Sequence, residues 1–87
     1  MNNATNRIVG NQLKALRLEC GLTQLQVADR ISSPQSVVSK LESGARSLYL
    51  SELFTYAHAL DTTPRSLFCE TLHALVAYGR EVELARL

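Results

Sequence analysis

The chain has 87 residues, room for one small domain with a single core and not for two. Its hydrophobic share of 46% is ordinary for a globular protein, and with no tryptophan and few aromatics an aliphatic core is expected, drawn from Leu, Val, Ile and Ala. A formal net charge of +1 excludes a uniformly basic surface, so a nucleic-acid binder of this composition must concentrate its positive charge locally.

The opening residues, "MNNATNR", read as a polar tail over residues 1–7 and not as a signal peptide. No apolar stretch approaches the ~18 residues of a membrane span, so a cytoplasmic protein is expected. Val9, Leu13, Leu16 and Cys20 then fall at i, i+4, i+7 and i+11, one face of a first helix that Gly21 can end. In "TQLQ", Thr23 can cap the amide of Gln26 while Gln26 reaches back, which predicts the start of a short second helix with Val27, Ala28 and Ile31 inward. Ser33 reads as the N-cap of a third helix, with Pro34 at its first position and Gly44 as its stop. After the connector "ARSLYL", Ser51 is expected to cap a fourth helix with Leu50, Leu53, Phe54, Ala57 and Leu60 on its inner face. Asp61 and Thr62 break it, and Thr63-Pro64 opens a fifth through Leu67 and Phe68. The run after Cys69 reads as an additional C-terminal helix, with Leu72, Leu75, Val76 and Val82 as its stripe. No strand pattern appears, so the fold class is all-α.

Residues 35–43 carry the functional signal. At 100° per residue, Val38, Leu41 and Glu42 cluster on one third of the third helix. Ser36, Lys40 and Ser43 cluster on the opposite third, flanked by Ser39 and Val37, with Gln35 at the edge of the inner side. A short helix with one polar, small-residue side and one cation can lie in a major groove. Two short helices joined by a tight turn, with small Ala28 where they cross, form a helix-turn-helix over about residues 23–43.

The run "LKALRLECGLTQLQVADRISSPQSVVSKLESG" resembles the DNA-binding domain of the phage-repressor/Cro-like, or XRE, family. The matching features are Leu13, Leu16-Arg17, Gly21-Leu22-Thr23-Gln24, Val27-Ala28, Val38-Ser39, Leu41-Glu42 and Gly44, and "LSELFTYAHALDTTPRSLF" resembles the family's fourth and fifth helices. The likeness spans about residues 8–69 and implies a five-helix lambda-repressor-like domain, leaving residues 70–87 as an additional helix and candidate dimerisation segment. Two positions depart from the pattern: Ser32 in the turn and Asp61 after the fourth helix stand where glycine is usual, so both are expected in the left-handed region.

The resemblance implies a role for Gln24 in anchoring a DNA phosphate and for Gln35 in reading a base, a glutamine amide matching the N6/N7 edge of adenine. Ser36 and Lys40 are assigned to base contact by the resemblance and by the helical wheel together; Lys40 can read guanine or hold a phosphate. Val37 is placed against a thymine methyl, with a half-buried aliphatic as the alternative. Ser39, Ser43 and Arg46 are assigned to phosphates, Arg46 because the family's loop after the third helix grips the backbone; Lys14 and Arg7 are weaker candidates. The family also pairs an arginine at the place of Arg17 with the glutamate at Glu42, which implies a structural ion pair.

Cys20 and Cys69 read as core thiols, and His58 and His73 as partly buried or surface residues. No metal-ligand spacing, nucleophile–base set or glycine-rich phosphate loop is present, so no metal, cofactor or catalytic residue is expected. The expected function is a sequence-specific double-stranded DNA-binding transcriptional regulator, a homodimeric repressor binding a palindromic operator through the third helix. The alternatives are an antitoxin with a cognate toxin, a restriction-modification controller, or a helical protein-interaction module without DNA binding.

Overall fold

The computed structural model describes residues 4–85, and their side chains as far as Arg80. Five helices follow one another: α1 (Ala4–Glu19), α2 (Gln24–Arg30), α3 (Gln35–Ser43), α4 (Leu50–Ala59) and α5 (Pro64–Ala85). Among the described residues there is no strand. The core gathers Leu13 of α1, Val27 and Ala28 of α2, Val38 and Leu41 of α3, Tyr56, Ala57 and Ala59 of α4 with Leu60 at its C-cap, and Leu67 of α5, with Val9, Leu16, Leu22, Ile31, Leu48 and Leu53 packed around it. Helix α1 lies against both α3 and α5, while α2 packs on α3 and α4 on α5.

The local signals act largely where the chemistry places them. Thr23 Oγ1 accepts from the Gln26 amide at 3.1 Å, and Gln26 Oε1 accepts from the Thr23 amide at 2.8 Å, closing the capping box of α2. Thr63 Oγ1 accepts from the Ser66 amide at 3.1 Å at the start of α5. Ser32 (φ 55°) and Asp61 (φ 56°) are left-handed. Both conformations cost a non-glycine residue roughly 1 kcal/mol or more, which the packed helices on either side must offset.

Several local expectations are corrected. Helix α1 starts at Ala4, inside the segment read as a polar tail, because Asn and Thr do not prevent helix once Ile8 and Val9 anchor the next turn. Pro34, extended at φ −63° and ψ 151°, is itself the N-cap of α3; Ser33 Oγ donates to the Ile31 carbonyl instead of capping. Helix α4 starts at Leu50, so Ser51 is not its cap; Glu52 Oε1 accepts from the Tyr49 amide at 2.9 Å and supplies the capping hydrogen bond. Leu50 and Phe54 are not on the inner face: they are 73% and 66% exposed, and Tyr56 takes the buried place. Cys20 and Cys69 are exposed rather than core; Cys20 ends its helix stripe at the surface, where its thiol donates to the Leu60 carbonyl at 3.2 Å. The segment after Cys69 is helical without a break from α5, since nothing in "ETLHALVAY" stops a helix. Of its apolar stripe, Leu72 and Val76 are exposed and Leu75 is half-buried; the Val82 side chain lies outside the described residues.

Candidate nucleic-acid interface

The inner side of α3 fixes the helix to the scaffold. Val38, Leu41 and Glu42 are buried, and Ala28 allows α2 to cross close by. The Ser33 amide donates to the Ala28 carbonyl at 3.0 Å, which holds the turn against α2. Gly44, at φ 83°, ends the helix in a conformation that a side chain disfavours, and a Cβ there would also press on Arg7. With that side anchored, Gln35, Ser36, Ser39, Lys40 and Ser43 are all exposed, whereas Val37 is half-buried against the core. Ser43 Oγ donates back to the Lys40 carbonyl at 3.1 Å, so it partly satisfies the helix end.

Below this face sits a buried ion pair. Arg17 Nε donates to Glu42 Oε2 at 2.7 Å and Arg17 Nη2 to Glu42 Oε1 at 3.0 Å, a two-point fork between α1 and α3. Arg17 Nη1 also donates to the Leu22 carbonyl at 2.8 Å, tying in the loop before α2. The hydrogen bond to Glu42 raises the already high pKa of Arg17, so the guanidinium is charged at any relevant pH. The pair needs α1 and α3 almost in contact. Gly10 permits this: a Cβ there would collide with the Leu41 carbonyl and lie 2.6 Å from that of Glu42.

Gln24 is half-buried at the start of α2, and its Nε2 donates to Glu42 Oε1 at 3.0 Å. The residue assigned to a phosphate is thus joined to the ion pair. Arg46 is also engaged within the protein. It grips Glu52 with two hydrogen bonds, at 2.9 and 2.8 Å, and its guanidinium lies 4.9 Å from the centre of the Tyr49 ring. The Arg46 contact is the main reason that the Glu52 carboxyl is held below the usual range. Lys40 remains exposed on α3.

Sequence reasoning missed Gly10, Glu52 and Tyr49. A glycine inside a helix costs ~1 kcal/mol relative to alanine and therefore asks for a packing reason. Glu52, three residues beyond the N-cap Tyr49, was a legible cap for α4.

On α4 and α5 a second surface is apolar. Leu50, Phe54, Phe68, Leu72 and Val76 are exposed, and a groove of about 190 Å³ opens among Val9, Leu48, Tyr49, Leu50, Leu53 and Phe68. Among the described residues no helix is long and apolar enough to cross a membrane.

Comparison with known proteins gives this geometry a family. The helix-turn-helix family model matches residues 13–67. The restriction-modification controller protein C.AhdI from Aeromonas hydrophila is 34% identical, with 75% of this chain and 98% of that chain covered and a TM-score of 0.70. The clp gene regulator ClgR from Corynebacterium glutamicum is 21% identical, over 99% of this chain and 92% of that one, at a TM-score of 0.81. The controller protein C.Esp1396I, solved as a tetramer with its natural 35 base-pair operator, is 22% identical over 85% of this chain and 97% of that one, at a TM-score of 0.76. No curated protein matches the chain. The family match extends from the first core leucine of α1 to the buried Leu67 of α5, and the chain belongs to the XRE-type helix-turn-helix family of DNA-binding transcriptional regulators.

Proposed function

We propose that the chain is a sequence-specific regulator that binds a palindromic duplex site as a homodimer, with α3 in the major groove, and represses transcription. The observation that carries this reading is the division of α3: Val38, Leu41 and Glu42 are buried while Gln35, Ser36, Ser39 and Lys40 are exposed. Gln35, Ser36 and Lys40 read base edges, with the exposed part of Val37 toward a thymine methyl. Gln24, Ser39 and Ser43 face the phosphates, and Arg46 joins them only by exchanging Glu52 for the backbone. The apolar surface of Leu50, Phe54, Phe68 and Leu72 pairs two copies and sets two α3 helices about one DNA turn apart. Access to chromosomal DNA places the protein in the cytoplasm.

Restriction-modification control is a second reading within this class, favoured by the 34% identity to C.AhdI over nearly all of that protein. The genes beside this one separate the two. The antitoxin alternative draws no support from these relatives. Selection of bound sites from random duplex DNA tests the main reading. The expected product is an inverted repeat whose half-sites are about one helical turn apart, bound by two chains; recovery of no sequence preference overturns it.

A further inference from the structure

We infer that Glu42, beyond tying α3 to α1, is the residue that positions Gln24 for its DNA phosphate. The inference rests on the DNA-binding reading above. Glu42 Oε1 accepts from both Arg17 Nη2 and Gln24 Nε2, each at 3.0 Å, while Oε2 accepts from Arg17 Nε at 2.7 Å. The Glu42 side chain is only 3% exposed and fixed at both oxygens, so it is a rigid acceptor. Gln24 is half-buried at the first position of α2, so part of its side chain is open to solvent. A free glutamine samples many rotamers and must be immobilised when it binds, which weakens binding. Here the hydrogen bond to Glu42 orders the side chain beforehand. One Nε2 hydrogen is used on the carboxylate. Among the described residues the second hydrogen has no protein partner, and it is the one left to donate to a phosphate oxygen. The fork from Arg17 also spreads the negative charge of Glu42, so an anion can approach Gln24 without meeting a bare carboxylate.

The proposal predicts that Gln24 and the ion pair act as one unit in DNA affinity. A double-mutant cycle tests it, using random-sequence duplex at low salt, where phosphate contacts dominate and no operator need be known. One arm is Gln24→Ala, expected to weaken binding roughly tenfold or more, as for a hydrogen bond to a charged group. The other arm is the paired replacement Arg17→Met with Glu42→Leu, which removes one positive and one negative charge and so leaves the net charge unchanged. Well-packed apolar replacements of a buried pair are often neutral for folding, and circular dichroism checks this. The paired variant should bind as weakly as Gln24→Ala, and adding Gln24→Ala to it should change nothing further.

If Gln24→Ala costs the same factor in both backgrounds, Glu42 does not position Gln24. Tighter binding by the paired variant would likewise overturn the proposal, because Glu42 would then be withholding Gln24 from DNA. Should the paired variant fail to fold, the wild-type protein still decides by NMR. The Gln24 side-chain amide protons are expected at distinct, displaced shifts with slowed exchange of the bonded hydrogen; random-coil shifts and exchange would refute the contact. A wild-type protein that binds no duplex at all fails the DNA-binding reading instead, which keeps the two failures distinguishable.

Discussion

Replacing Arg17 by alanine should unfold this protein at far lower temperature, although Arg17 itself is assigned no contact with DNA. The side chain is 10% exposed and makes three hydrogen bonds, two to Glu42 and one to the Leu22 carbonyl. Truncation leaves a nearly inaccessible carboxylate with only the Gln24 amide as partner. Breaking a buried pair in this way costs about 3–5 kcal/mol. For a chain of this length each kcal/mol moves the melting temperature by about 5 °C, so the midpoint should fall by roughly 15–25 °C. Thermal melts followed by circular dichroism at fixed protein concentration measure this directly, the concentration being held because a dimer's stability depends on it. A midpoint within a few degrees of wild type would refute the claim that the pair holds α1 to α3. The same melts on the paired Arg17→Met and Glu42→Leu variant should recover most of the loss, since no orphan charge remains.

Three further outcomes follow from other parts of the structure. The Glu52 carboxyl has its pKa lowered in the folded state, chiefly by Arg46, so its contribution to stability is present above the ordinary carboxylate pKa and lost as pH falls through the folded one. The gap in melting temperature between wild type and Glu52→Gln should therefore hold steady from about pH 7 to 5 and close below about pH 4; a gap that widens in acid contradicts the pairing. The Tyr56 hydroxyl is buried and has no hydrogen-bond partner among the described residues, and burial raises its pKa, which keeps the phenol neutral. Tyr56→Phe removes an unsatisfied group of the kind that costs about 1–3 kcal/mol, so the melting temperature should stay level or rise, and a clear fall would reveal an unseen partner. The proposed pairing of two copies predicts that Phe54→Lys, which places a charge on the exposed apolar surface, shifts the protein toward monomer in analytical ultracentrifugation while leaving helix content intact; an association unchanged by the substitution would move the interface elsewhere.

The three helices nearest the proposed DNA surface were legible because their signals are local. A capping box at Thr23 and Gln26, a proline before Gln35 and a glycine after Ser43 each act within a few residues, and the buried arc of Val38, Leu41 and Glu42 is narrow enough for a helical wheel to find. The left-handed Ser32 and Asp61 were legible through the resemblance alone, since both stand where the family's pattern has glycine. What failed was any inference from apolarity to burial. On α4 the apolar arc is wider than the core requires: Leu53, Tyr56, Ala57 and Leu60 fill the inner side, and Leu50 and Phe54 are the surplus. Periodicity cannot say how much of such an arc the chain's own core uses. Cys20 was misplaced for a related reason, since it prolongs an apolar stripe past the point where α1 leaves the core. The engagement of Arg46 by Glu52 and of Gln24 by Glu42 depends on tertiary placement of long side chains, which one-dimensional spacing does not encode.

The most direct test uses a site selected from random DNA and the variants Gln35→Ala and Lys40→Ala, both on exposed residues of α3. Each lost base contact should weaken binding by about 1–3 kcal/mol, roughly tenfold or more, while the melting temperature stays at the wild-type value. Wild-type affinity in both variants would mean that the exposed side of α3 does not read the duplex.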